Sequence, residues 1–395
     1  MADADRVRNV ASIVADTYKA GNDVVVVVSA QGDTTDDLLE KANEINPHAS
    51  KRELDMLVTA GEQISASLLA MALEGMGMPV ISLLGWQMGM KTNSNYGNAR
   101  IKRIESERLE AELNRKNIVV VAGFQGINKY DDITTLGRGG SDTTAVAIAA
   151  ALKADACHIY TDVDGVYTAD PRIVKDAKKL DEITYDEMLE LATLGAQVLH
   201  NRSVEMAKRY NVNLEVLSSF SGQPGTKVKE VAKTMEKPYV SGVAKDKNIA
   251  RLALVGLPDK PGTAFRIFST LARYKINVDI ILQSIGRNDT KDISFTVTHS
   301  DMDKAREAME KMKDTLGFDH IDVTDDIAKV SIVGAGMINN PGVASLMFES
   351  LFNAGINIHM ISTSEIKVSV LVDKSDADNA VQVIHDRFFE EYGNL

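Results

Sequence analysis

The chain has almost no cysteine: Cys157 is the only one in 395 residues. A single thiol excludes an internal disulfide and fits a reducing compartment. It lies in the apolar run Ala156-Cys157-His158-Ile159, which reads as a small buried hydrophobe rather than a nucleophile. No apolar stretch approaches the roughly 18 residues of a membrane span. The opening Met1-Ala2-Asp3-Ala4-Asp5-Arg6 lacks the apolar core of a secretion signal. A cytoplasmic protein with no membrane partner is expected. Excess positive charge is also missing, since the formal net charge is -12, so a nucleic-acid partner has no electrostatic support. A phosphate ligand stays open, because it needs only a local nest of donors. The sequence holds no Gly-x-x-x-x-Gly-Lys-Ser/Thr loop and no strand followed by Gly-x-Gly-x-x-Gly. His48, His158, His200, His299, His320, His359 and His385 are scattered without metal-ligand spacing.

What is present begins with length. A chain this long exceeds one ordinary core and predicts two or three domains. The C-terminal third contains a near-repeat. Val255-Gly256-Leu257-Pro258-Asp259-Lys260-Pro261-Gly262-Thr263-Ala264 leads into Phe268, Leu271 and Ile276-Asn277-Val278-Asp279-Ile280. Ala335-Gly336-Met337-Ile338-Asn339-Asn340-Pro341-Gly342-Val343-Ala344 leads into Phe348, Leu351 and Ile356-Asn357-Ile358-His359-Met360 in the same register. Each copy reads as strand, Pro-Gly loop, helix, Asn-containing turn and strand. Ala264, Ile267, Phe268 and Leu271 are spaced to put one helix face on a sheet, as are Ala344, Met347, Phe348 and Leu351. Ile293–Val297 and Ile366–Val370 alternate like further strands, and helices are predicted over 302–315 and 375–388. Two copies of a βαββαβ unit result, with exchange of strands between them left open.

Residues 1–230 have a different pattern. Val24–Val28 is an uninterrupted β-branched run, as expected of a strand covered on both faces. Similar runs lie at 80–84, 118–122, 157–160 and 214–216. Helices are predicted at 51–75, 98–114, 142–153, 184–193 and 200–209, which makes an open α/β sheet. Ligands in such sheets bind beyond the strand C-termini. Three strands end in turns of that kind: Ser29–Thr35, Gly123–Gly126 and Thr161–Tyr167. Gly137-Arg138-Gly139-Gly140 before Ser141-Asp142 allows backbone N–H groups and a helix start to approach an anion. Arg138 can take a carboxylate in a two-pronged contact. A plain turn with a capped helix and a surface arginine explains the same residues. Asp162 and Asp164 equally position a metal or lysines, or only turn the chain. Arg52, Asp55 and Glu62 share a face of the predicted 51–75 helix, either as a salt-bridged surface or as a cleft wall.

Taken together these segments resemble the aspartokinase family of amino acid kinases. The resemblance rests on Val27–Asp36, Asp55-Met56-Leu57 through Gly61-Glu62, Val121–Gly126, Thr135–Thr144 and Thr161–Arg172 in the family's order. The paired C-terminal modules resemble ACT domains. It implies an amino acid kinase three-layer α/β/α sandwich over 1–230, a linker over 231–248, and paired ferredoxin-like ACT regulatory domains over 249–325 and 326–395. It implies transfer of the ATP γ-phosphoryl group, with Mg²⁺, to L-aspartate, the entry to lysine, threonine, methionine and diaminopimelate synthesis. Ser29, Glu62, Arg138 and Ser141 then look like aspartate contacts. Arg138 clamps the α-carboxylate, Glu62 orients the amino group, and Asp162 helps arrange the nucleotide. Thr161, Asp162, Tyr167, Thr168, Ala169, Asp170, Pro171, Arg172 and Gln197 look like the nucleotide set, and no metal ligand is assigned. A carboxylate acceptor is already ionised at neutral pH, so no general base is required, and positioning with charge neutralisation carries the chemistry.

The resemblance also implies lysine or threonine as effectors and a homodimer or an α2β2-type oligomer formed through the ACT domains. Candidate effector contacts are Asp259, Gly262, Ala264, Asn277, Asp279 and Gln283 in the first copy, and Asn357, Ile358, Thr363 and Ser364 in the second. Asp279 is matched by His359, so the copies need not bind alike. Met235 lies near where the shorter, mostly regulatory subunit of some relatives begins. Family members start with a strand ending in Lys-Phe/Tyr-Gly-Gly-Thr/Ser-Ser, then Val-Ala-Asp-Ala; this sequence opens at Met1-Ala2-Asp3-Ala4. A late start or fragment explains that, as does a catalytically impaired regulatory subunit, and weak or no kinase activity is expected of the chain as written.

Overall fold

The computed structural model describes residues 3–194, 198–220, 222–230, 240–284 and 289–391. Met235 and Gln197 lie outside the described residues. The chain divides into two compact units, Met1–Val166 with Lys179–Thr193 and Gln197–Lys233, and Tyr167–Lys178 with Leu194–Ala196 and Thr234–Leu395.

In the first unit the β-branched runs form a parallel sheet in the order Val25–Val28, Ile118–Ala122, Val80–Leu83. The central strand shows why a fully apolar run is needed. Ile118, Val120 and Ala122 pack with Val7, Ala11, Val14, Leu69 and Leu73 of helices Ala4–Lys19 and Ala60–Gly75. Val119 and Val121 point to the other face, with Leu109 and Ile148 of helices Glu107–Asn114 and Gly140–Leu152. Successive side chains alternate between two helix layers, which makes the α/β/α arrangement. A second sheet runs Cys157–Thr161, Leu214–Ser218, Thr226–Lys229, Glu182–Thr184. Helix Gly140–Leu152 touches both Val25–Val28 and Cys157–Thr161. Both strands therefore pack against one helix.

Three expectations need correction. The segment 51–75 is two helices, Lys51–Val58 and Ala60–Gly75, broken at Thr59. Thr59 Oγ1 donates to the Met56 carbonyl at 3.1 Å, competing with the helix ladder. The ladder bonds on either side are stretched to 3.4 Å. Taken as one run, Lys51–Gly75 also contains an 18-residue window apolar and long enough to cross a membrane by length and composition, contrary to the expectation that none would. Half of that window is buried, as in a core helix. The predicted helix 98–114 begins only at Glu107. Ile101 and Ile104 have helical spacing, but Ile101–Ile104 is a strand paired with Met90–Thr92.

The second unit contains two four-stranded antiparallel sheets. The first is ordered Ile281–Gln283, Thr290–Val297, Ala250–Pro258, His320–Thr324. The second is ordered Gly242–Asp246, Ile327–Val333, Lys367–Asp373, Met360–Thr363. Its outer strand thus comes from the 231–248 stretch expected to be a linker, with Val243 and Ala244 buried. Helices Thr263–Arg273 and Val343–Asn353 bury Ile267 and Leu271, and Met347 and Leu351. Ala264 is exposed, and Thr263 takes the buried first-turn position expected of it. Ile249, Ile280, Ile327, Met360 and Leu371 join the two modules in one apolar cluster. Ile280 and Met360 occupy equivalent positions of the repeat, so each module gives the same position to this cluster.

Candidate active site

Glu62 sits in the first turn of helix Ala60–Gly75 and is 4% exposed. One carboxylate oxygen accepts from the Ala30 N–H at 3.1 Å, just past the first strand. The other is buried with no hydrogen-bond partner. Burial pushes the carboxyl from 4.5 up to about 7. An orphaned buried oxygen of this kind costs free energy that a ligand ammonium would recover. Gly61 makes the approach possible, since a Cβ there would lie 2.7 Å from the Ala30 Cβ.

Ser29, exposed, precedes Ala30 at the same strand end. Ser141 and Val27 both crowd Gly123, where a Cβ would lie 2.8 Å from Ser141 Oγ and 2.9 Å from Val27 Cγ1. Phe124, at φ 68°, donates its N–H to Thr144 Oγ1 at 3.1 Å and receives that of Leu136 on its carbonyl at 2.8 Å. These contacts tie the ends of the Val25–Val28 and Ile118–Ala122 strands to the glycine loop. Gly137 and Gly139 adopt φ of 81° and 65°, the left-handed region that favours glycine. Between them Arg138 is exposed and makes no ion pair with a described residue. Its guanidinium is exposed beside the glycine loop. Asp142, behind the helix start, is pushed up to about 6 by burial and faces the His200 backbone N–H.

Arg52 and Asp55 do not join Glu62 in a polar stripe. Arg52 turns to Asp132 at 2.7 Å and to Glu53. Asp55 is buried and accepts from the N–H groups of Gly97 and Thr135 and from Thr135 Oγ1 at 2.7 Å. The break at Thr59 separates their directions. A cavity of about 210 Å³ lined by Thr35, Leu39, Lys51, Leu54, Asp55, Val58, Gly97, Phe124 and Thr135 lies nearby, but none of Ser29, Glu62, Arg138 and Ser141 lines it. Its exposed walls are mostly apolar, and Asp55 there is already saturated by Gly97 and Thr135.

The nucleotide candidates divide. Thr161 ends its strand, with Oγ1 3.0 Å from the Asp162 carboxylate, and Asp162 is exposed. Tyr167, Thr168, Ala169, Asp170, Pro171 and Arg172 belong to the second unit. Thr168 is buried and hydrogen-bonds His385 at 2.9 Å. Ala169 lies in that unit's apolar core. Asp170 pairs with Arg172 through two oxygens, which holds its carboxyl below the usual range. The described residues contain no group of three or more His, Cys, Asp or Glu able to hold a metal. Cys157 is buried and its thiol is pushed up to about 12, an inert side chain.

Among the effector candidates, Asn277, Gln283, Asn357, Thr363, Ser364 and Ala264 are exposed and Ile358 is half-buried. Gly262 caps its helix at φ 90°. Asp259 pairs with Lys291 at 2.7 Å. Asp279 is already held by Lys329, a buried lysine of the second module, whereas His359 at the matching position bonds Asp373 at 2.8 Å. The two copies therefore differ in charge where the repeat is otherwise closest. Arg202 and His200 escaped the sequence reading. Their contacts at the glycine loop are distant in sequence, and no local pattern signals them.

The Amino acid kinase family signature matches residues 1–218, and the ACT domain signature matches 252–312 and 330–388. The chain is 53% identical over 384 residues to the aspartokinase of Bacillus sp. (strain MGA3), covering 97% of this chain and 93% of that one. It is 50% identical over 393 residues to that of Mycolicibacterium smegmatis, covering 98% and 93%. Among solved structures, E. coli aspartokinase III in complex with aspartate and ADP (R-state) superposes with a TM-score of 0.83 at 28% identity, over 98% of this chain and 97% of that one. The same enzyme in complex with lysine and aspartate (T-state) gives 0.74 over the same shares. With both signatures in this order and half of all positions shared along nearly the full length, the chain belongs to the aspartokinases, ATP-dependent kinases of the amino acid kinase family that carry C-terminal ACT domains.

Proposed function

We propose that the first unit binds L-aspartate as phosphoryl acceptor and converts it, with ATP, to 4-phospho-L-aspartate. The observation that carries this reading is the buried Glu62 oxygen without a partner. Glu62 receives the α-ammonium, and the exposed guanidinium of Arg138 receives the α-carboxylate through two parallel N–H donors. Ser29 supplies a hydroxyl after the first strand, and Ser141 supplies one from the start of helix Gly140–Leu152. The side-chain carboxylate is then left facing the Thr161-Asp162 strand end, where the nucleotide phosphates come to lie. Aspartate in the E. coli complex with ADP supports the pairing of these two ligands.

An ionised carboxylate needs no base to attack phosphorus; the obstacle is repulsion between two anions. In this reading the exposed Asp162 would hold the Mg²⁺ of the nucleotide, which would supply neutralisation of phosphate charge. Thr161 and Asp162 carry the nucleotide contacts of this unit.

The ACT modules take an amino-acid effector, lysine or threonine, at the turns containing Asn277 to Gln283 and Asn357 to Ser364, and act in a dimer or an α2β2-type assembly. The lysine-bound E. coli structure supports this class of effector. The product feeds lysine, threonine, methionine and diaminopimelate synthesis in the cytoplasm. Trapping the acyl phosphate with hydroxylamine tests the reaction. Any hydroxamate formed, however slowly, is expected to come from L-aspartate and not from L-glutamate. A preference for L-glutamate, or L-aspartate failing to bind, overturns the assignment.

A further inference from the structure

Two chain segments run side by side beneath the arginine loop, joined by the Ala99 N–H to the Thr135 carbonyl at 2.8 Å. A charged side chain holds each edge of this pair. Asp55 accepts the N–H groups of Gly97 and Thr135 at 2.9 and 3.0 Å. Arg202, in the first turn of helix Asn201–Tyr210, donates to the Ala99 carbonyl at 2.9 Å, to Asn98 Oδ1 at 3.1 Å and to the Leu136 carbonyl. The anion gathers donors and the cation gathers acceptors of the same two segments. Gly137, the next residue, rests on Gly97, with space for a Cβ only 3.1 Å from the Gly97 carbonyl oxygen. Arg138 follows, with no ion-pair partner among the described residues to aim it.

We propose that Arg202 is a positioning residue for Arg138, fixing the Leu136 carbonyl so that the Arg138 guanidinium meets the substrate carboxylate. The inference rests on the aspartate reading of the site. A half-buried guanidinium bonded to three acceptors on two segments defines a plane. Lysine places one point charge there and holds fewer of them. The contact with Leu136 lies two residues from Arg138, close enough that a change of loop orientation reaches its side chain directly.

The test compares wild type, Arg202→Met and Arg202→Lys by calorimetry with L-aspartate and, separately, with ADP. Arg202→Met is expected to weaken L-aspartate about tenfold or more, by analogy with losing a charged hydrogen-bonding group, while ADP changes less than about twofold. Arg202→Lys is expected to recover part of the aspartate affinity, and it keeps the test alive if the methionine variant does not fold. Parallel losses for both ligands, or unchanged aspartate binding, overturn the inference. Wild type that binds ADP but no L-aspartate overturns instead the aspartate reading. Limited trypsin cleavage after Arg138 in ligand-free protein gives an independent readout, expected to accelerate in Arg202→Met. An unchanged rate there counts against Arg202 holding the loop, whatever the ligand is.

Discussion

Replacing Glu62 by glutamine is expected to stabilise the first unit at alkaline pH while destroying its ligand site. Burial raises the Glu62 carboxyl from 4.5 to about 7. Between those values the native protein holds a proton that the unfolded chain has lost. Stability therefore falls as pH rises through this window, and the full cost is present above 7. At about 1.4 kcal/mol per pKa unit the cost is about 3 kcal/mol at pH 8. Glutamine keeps an acceptor for the Ala30 N–H but buries an unpaired amide donor, which costs about 1–3 kcal/mol. The variant should thus be near neutral or up to about 2 kcal/mol more stable at pH 8, and less stable at pH 4, by the same linkage. Trp86, the only tryptophan, lies in the first unit and reports its unfolding in urea. The difference between variant and wild type should grow with pH from 5 to 7 and then level. A difference that stays flat over that range would refute a buried, proton-binding Glu62. L-aspartate should bind wild type more tightly as pH rises from 6 to 8, because only the carboxylate receives an ammonium. The glutamine variant should lose that dependence together with about tenfold to hundredfold in affinity.

Other perturbations follow from the same contacts. Gly139→Ala places a Cβ 2.3 Å from the His200 Cβ at φ 65°, so a loss of about 2 kcal/mol or more is expected in thermal unfolding, with weaker L-aspartate binding. Asp279→Ala strands the buried Lys329 ammonium and should cost about 3 kcal/mol in urea unfolding of the second unit. Adding Lys329→Met should restore most of it. His385 is buried and held below 6.5 by desolvation, with Nδ1 3.9 Å from the Asp386 carboxylate and Lys178 and Asp176 also near. Its neutral form is favoured, so stability is lost as pH falls below 6.5. Hydrogen exchange in helix Ala377–Asp386, corrected for intrinsic rate, should rise between pH 7 and 5.5 in wild type and not in His385→Phe.

Much of the scaffold was legible because its signals are local. The run Ile118–Ala122, apolar at every position, is the central strand with helices on each side. The repeat announced two equivalent modules, down to matching burial at Ile276 and Ile356 and at Ile280 and Met360. Apolar spacing failed where two structures share it: Ile101 and Ile104 fit a helix or an edge strand, and only pairing with Met90–Thr92 decides. Thr59 broke a helix that periodicity alone continues. The strand Gly242–Asp246 looked like a linker because its partner, Ile327–Val333, lies roughly eighty residues later. At the site, glycine positions marked the loop, and the family resemblance singled out Glu62 and Arg138. The inward turn of Asp55, the three bonds of Arg202 and the placing of Thr168 and Ala169 in the second unit's core depend on long-range packing, which no short window of sequence carries.

The most direct test is a crystal structure of the chain with L-aspartate bound. The ammonium should lie within hydrogen-bonding distance of the Glu62 oxygen that has no partner, the α-carboxylate on the Arg138 guanidinium, and the side-chain carboxylate toward Thr161 and Asp162. An ammonium placed away from Glu62, or the side-chain carboxylate clamped by Arg138 in place of the α-carboxylate, would contradict the account.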